Sequence, residues 1–175
     1  ALDGCFNRYL KSVQASGRVI YVVTSPTAQE LLNPTIKANY ESTKNDVQGS
    51  PHIIIDNERQ LQLLRGRMGM LGMYPSANKS FAKLIAQVLK LSSEHSPVQT
   101  FDSKDLERCL NTDGRIFVGT SVITNPSDPN LGAQIYQNCL QKSPCPLPRG
   151  SIQTGVLLLV VTSEMASNPQ ISSHM

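Results

Sequence analysis

The chain has 175 residues, enough for one domain with a core of its own. A net charge of +3, 5% aromatic residues and no Trp give neither the basic field nor the stacking platform of a nucleic-acid binder. The longest apolar run has strand length, well short of the ~18 residues that span a bilayer as a helix, so no transmembrane segment is expected.

Apolar residues make up 39% and charged residues 17%, both low values, with Ser, Thr, Asn and Gln filling the difference. Such an uncharged polar surface suits a periplasmic or secreted protein; a cytoplasmic location is the alternative. Ala1 in place of Met fits a processed or truncated chain, and His174-Met175 reads as vector-derived. The four cysteines, Cys5, Cys109, Cys139 and Cys145, allow three pairings. A Cys139–Cys145 disulfide would clip a helix end to the loop after it; the alternative is a set of small buried hydrophobes.

In chain order, Leu2, Cys5, Phe6, Tyr9, Leu10 and Val13 recur at helical spacing and predict an N-terminal amphipathic helix. Residues 18–25 (RVIYVVTS) follow as a strand, apolar on both faces as a central strand should be. Ser25-Pro26-Thr27 then opens a helix, with Ser25 as cap and Asn33-Pro34 as its interruption. Residues 36–50 read as a partial helix and a loop, and 52–56 (HIIID) as a short strand.

Asp56 or Asn57 caps the next helix, which runs through the apolar segment 61–73 and stops at Tyr74-Pro75-Ser76. Gly66, Gly69 and Gly72 each cost that helix about 1 kcal/mol relative to Ala. Phe81, Leu84, Ile85, Val88 and Leu89 mark a clear amphipathic helix. Residues 98–101 suggest a strand, and Asp102 caps a small helix with Leu106, Cys109 and Leu110. Residues 115–123 (RIFVGTSVI) make a strand, and Ser127-Asp128-Pro129 starts a helix with Leu131, Ile135, Cys139 and Leu140. A stiff, exposed turn, SPCPLP at 143–148, leads to the last strand at 155–163 (GVLLLVVTS).

Strands alternating with helices predict an α/β fold: a three-layer, open, mostly parallel sheet of 4–5 strands with helices on both faces. An α+β sheet with an antiparallel last strand is the alternative. Residues 1–168 form one domain, and 169–175 a frayed polar tail.

Four features are candidates for function. The turn after the first strand offers Thr24, Ser25 and Thr27 at a helix N-terminus, with Arg65 and Arg67 as possible anion partners. No glycine-rich phosphate loop accompanies it, and an ordinary capped helix explains the same residues. In 65–73 (RGRMGMLGM), Met68, Gly69, Met70, Gly72 and Met73 offer a soft, close-approach surface for a protein partner; a buried core helix is the plain reading. His52 and Asp56 share a strand face but sit roughly 13 Å apart, too far for a hydrogen-bonded dyad. No metal-ligand spacing occurs, and Cys145 between prolines lacks a base to activate it. No catalytic residue, metal or cofactor is therefore expected. The leading expectation is a non-catalytic protein–protein interaction or assembly domain, such as a subunit of a bacterial secretion or conjugation apparatus. The rival is a small-molecule or nucleotide-binding domain, enzymatic or not, with its site at the C-terminal ends of the strands. A third reading is an intracellular scaffold on a degenerate nucleotide-binding fold.

Overall fold

The computed structural model describes residues 19–65, 69–91, 103–110, 114–125, 127–148, 150 and 155. They form a mixed α/β structure around a small parallel sheet: β1 (Tyr21–Ser25), β2 (His52–Asp56) and β3 (Arg115–Ile116), in the order β1-β2-β3. The helices are α1 (Pro34–Val47), α2 (Asn57–Leu64), α3 (Met70–Leu91), α4 (Ser103–Leu110) and α5 (Leu131–Lys142), with a short 3₁₀ turn at Glu30–Leu32. The N-terminal helix, the strand at 98–101, Arg67, Met68 and the last strand beyond Gly155 lie outside the described residues.

The core is built on β2. Its three isoleucines are all buried: neighbouring strands protect its edges, and elements packed on the sheet cover its faces. Ile53 and Ile55 cluster with Cys145, and Phe81 and Ile85 of α3 pack against them together with Ile20, Ile116, Phe117 and Val118. By the alternation of a strand, Ile54 points to the opposite face, beside Val23 in the parallel register.

β1 departs from the expected central strand. It forms one edge of the described sheet, and Val22 is 51% exposed on the face that Ile53 shares. The α3 side chains that bury Ile53 and Ile55 leave Val22 and Thr24 exposed.

Asn33-Pro34 starts a helix instead of interrupting one. The Asn33 side chain accepts the Thr35 N–H at 2.9 Å, and Pro34 supplies the fixed φ of a first helical position. α1 continues to Val47, its one buried residue, so capping and local pairs such as Lys44–Glu41 (3.3 Å) hold a helix with little apolar face.

The Asp56 cap is as expected, its carboxylate accepting the Arg59 N–H at 3.1 Å. The helix after it is shorter than expected. It ends at Leu64, where Arg65 turns to an extended ψ of 132°, and a new helix begins at Met70. Of the glycines that weaken a helix, Gly69 lies just before the new helix and Gly72 in its first turn. Pro75 lies within α3 instead of ending it. It sacrifices one backbone bond early in a 22-residue helix whose Phe81 and Ile85 anchor it to the core.

β3 is far shorter than the apolar run at 115–123. It pairs with β2 only through His52↔Arg115 and Ile53↔Ile116. Beyond that, the turn after α5 takes the place of a partner strand: the Asp56 N–H donates to the Pro144 carbonyl at 2.9 Å, and the Ser143 hydroxyl donates to the Val118 carbonyl at 2.5 Å. The β2 and β3 backbones are thus satisfied by the turn instead of by each other. The start of that turn is buried, contrary to expectation: Ser143 and Cys145 are each 1% exposed, whereas Leu147 faces outward.

Candidate functional site

The C-terminal ends of the parallel strands are where α/β sheets usually hold ligands. At β1 this end is occupied by the chain's own side chains. The Thr27 N–H and hydroxyl both donate to Glu30 Oε2, at 2.7 and 2.9 Å, and the Glu30 N–H donates back to Thr27 Oγ1 at 3.2 Å. This is a reciprocal capping box one residue pair later than the expected Ser25 cap. The Ala28 N–H donates to Glu58 Oε2 at 3.3 Å, which ties the loop to the first turn of α2. The Ser25 hydroxyl turns to the Pro26 carbonyl at 3.4 Å, and Thr24 is exposed.

The structure therefore brings Thr24, Ser25 and Thr27 together, but two carboxylates sit on the N–H groups that an anion would use. Tyr74 on α3 registers them: burial, then the charges of Glu30 and Glu58, raise its phenol above the ordinary value. Arg65 is exposed at the end of α2, and Arg67 is outside the described residues.

Of the Met/Gly segment, Met73 is half-buried while Gly69 and Gly72 are exposed. A Cβ built on Gly69 would meet open space, so this glycine is not a point of close approach within the chain. Met70 is the first residue of α3, and Met68 is outside the described residues.

At β2 and β3 the C-terminal end is closed by the 143–148 turn, which two arginines grip. Arg59 on α2 donates from Nε to the Ser143 carbonyl at 2.7 Å, and from Nη2 to the carbonyls of Leu140 and, at 3.2 Å, Gln141. A cation on the last carbonyls of α5 satisfies orphan acceptors and complements the helix dipole. Arg115 donates from Nη2 to the carbonyls of Pro146 and Leu147 at 3.1 and 2.9 Å. Inside the turn, the Cys145 N–H donates to Ser143 Oγ at 3.0 Å.

Cys145 and Cys139 are both free thiols in this structure. Burial pushes the Cys145 thiol above its ordinary range, against the lowering effects of hydrogen bonds from Val118 and Ser143 and of the Arg115 and Arg59 charges. Cys139 is raised by burial too, against the pull of Lys142. A nucleophilic cysteine needs the opposite shift. Gly119 sits hard against α5: a Cβ there would lie 2.9 Å from both the Cβ and the carbonyl oxygen of Cys139.

Two hollows flank this frame. One, of about 460 Å³, lies between α2 and α5 over Arg59, with Leu63, Leu140 and Leu147 among its walls. The other, of about 420 Å³, lies at the N-terminal end of the sheet, between the end of α1 and the first residues of β2 and β3. Among the described residues no group of three His, Cys, Asp or Glu side chains could hold a metal ion, and no helix is long and apolar enough to cross a membrane.

Sequence reasoning missed Arg59, Ser143 and Gly119. α5 ends in Lys142-Ser143 with no glycine to turn its backbone, a sign that its last carbonyls need an outside donor. An isolated glycine in the apolar run at 115–123 signals close backbone approach. No protein-family model, curated protein or solved structure matches this chain.

Proposed function

We propose that this chain is a non-catalytic protein–protein interaction or assembly domain. The observation that carries the reading is the contrast at the end of β1. Its hydrogen-bonding groups are taken up internally by Glu30 and Glu58, yet large apolar side chains around it face outward. Val22 in β1, Leu32 in the 3₁₀ turn and Ile36 in the first turn of α1 are 51%, 82% and 37% exposed. Such a surface offers little to a small anion and much to an apolar partner. In this reading residues 1–168 make one domain, whose complete sheet has four or five strands with helices on both faces.

The test is site-specific photo-crosslinking in the native host, with the reactive group at Leu32 and a control at the exposed Lys79. A discrete adduct at Leu32 that is lost in Leu32→Glu supports the reading. A chain that gives no adduct and runs as a monomer sinks it.

The finer placement, a periplasmic or secreted subunit of a bacterial secretion or conjugation assembly, rests on composition and on the pairing capacity of four cysteines. Intact mass after alkylating the denatured native protein, with and without reductant, decides it. Four labels without reductant argue for the cytoplasm. Two or none argue for disulfides, including the Cys139–Cys145 bond, and for a compartment outside it.

The competing small-molecule or nucleotide site at Thr24, Ser25 and Thr27 requires an anion to displace two carboxylates. It predicts a rise in melting temperature with saturating nucleotides or phosphosugars, and that rise would be lost in Thr27→Val.

A further inference from the structure

The first row of the sheet runs Tyr21, His52, Arg115 across the three strands in parallel register. Register partners on adjacent strands lie about 4.8 Å apart and share a face, so the imidazole and the guanidinium start side by side. The last turns of α1 bring Lys44, Asn45 and Gln48 to the same hollow, and Ile54, two residues along β2, adds an apolar wall.

Each basic group is positioned but not used up. His52 Nδ1 donates to the Ser50 carbonyl at 2.8 Å. A carbonyl can only accept, so this bond fixes the ring and turns the Nε2 edge away from Ser50. The Arg115 bonds to Pro146 and Leu147 employ Nη2 alone. Lys44 pairs with Glu41 at 3.3 Å, but both side chains are about half exposed, and such a pair is readily exchanged.

We infer that this hollow is a binding site for a small phosphate monoester. The site is separate from the apolar surface of the proposed interaction and does not depend on it. Lys44 and Arg115 bring two cations to the hollow beside the His52 ring, from three elements, which suits the doubly charged phosphate of a monoester better than a singly charged carboxylate. Asn45 and Gln48 supply amides for the polar body of the ester. The volume of about 420 Å³ falls within the size range of small-molecule sites.

The test is a titration of the ¹⁵N-labelled protein with ribose 5-phosphate, beside inorganic phosphate, citrate and sodium chloride at matched ionic strength. Saturable shifts are expected at Lys44, Gln48, His52 and Arg115 with ribose 5-phosphate, weaker with citrate. Lys44→Gln and His52→Gln should each weaken binding about tenfold, the scale of one charge-assisted hydrogen bond. Both variants leave the Arg115 clamp intact, and amide spectra and urea midpoints matched to the native chain separate lost binding from a changed fold. Absence of saturation at millimolar ester, shifts reproduced by chloride, citrate binding as tightly as the ester, or unchanged affinity in both variants would each overturn the inference.

Discussion

The two ends of the sheet are built on opposite terms. At the C-terminal end the chain's own groups fill the positions that a ligand would need: Glu30 and Glu58 at β1, and the buried Ser143–Cys145 turn at β2 and β3. At the N-terminal end, Lys44, His52 and Arg115 border an open hollow. The difference shows that strand direction alone does not locate a site. The usual C-terminal crevice exists only if loops leave it empty, and here two glutamates and the turn held by Arg59 close it. The closed end should therefore carry stability, and the open end should carry little.

The largest effect is expected for Arg59→Ala. It strips three carbonyls at the end of α5 of their donor and releases the turn that completes the sheet. A loss of about 2 kcal/mol in urea unfolding is expected, the cost of leaving two part-buried carbonyls and one exposed carbonyl without their charged donor. Arg115→Ala frees two carbonyls at an exposed position and should cost clearly less. Equal losses would remove the hierarchy between the clamps. Gly119→Ala comes next: its new Cβ meets Cys139 backbone at 2.9 Å, so the helix must move, at about 1–3 kcal/mol. Gly69→Ala is the matched control, with open space around its Cβ, and should be neutral or slightly stabilising.

What was legible in the sequence follows the range of each interaction. The mixed α/β class and the β2–α2 junction were readable because alternation and an Asp cap are local signals: Ile53, Ile55 and Asp56 announce themselves within five residues. Asn33-Pro34 was legible in principle, since the same pair that looks like an interruption is a strong helix start. Arg59 was not, because its partners lie 81 to 84 residues away and a polar helix position reads as solvated. The length of β3 was hidden for the same reason. Its apolar run is intact, but the backbone partner that would extend it is displaced by a turn from the far side of α5. At the candidate site, the hydroxyls of Thr24, Ser25 and Thr27 were legible, and so was Glu30 (or Gln29) as support for the cap, because the capping-box spacing is local. The hold of Glu58 on the Ala28 N–H was not, because the two lie 30 residues apart.

Two smaller effects probe the closed end by pH. Burial holds the Cys145 thiol above the ordinary value of 9.0. The folded state thus keeps a proton that the unfolded chain loses. Its contribution is complete below pH 9 and falls as pH rises toward the raised folded value, by up to about 1.4 kcal/mol per pH unit. Unfolding free energies measured from pH 8 to 10.5 should decline more steeply in the native chain than in Cys145→Ala. Parallel curves would mean that the thiol is not sealed in the turn. In Glu30→Gln, loss of one charge should lower the Tyr74 titration toward its ordinary value of 10.0, read by phenolate absorbance. Burial, the larger cause, keeps part of the shift, and the weakened capping box costs about 1 kcal/mol.

The smallest expected change in stability is at the open end, and there its smallness is the informative result. Lys44 is about half exposed, and its pairing with Glu41 is a surface ion pair on a helix. Lys44→Gln should move the unfolding midpoint by no more than about 0.5 kcal/mol. A residue that contributes nothing to folding yet lines a hollow with His52 and Arg115 is free to be selected for what it binds. A larger loss would mean that Lys44 is a structural member of the α1–β2 junction. The contrast between a closed end that stabilises and an open end that recognises would then fail at its central residue.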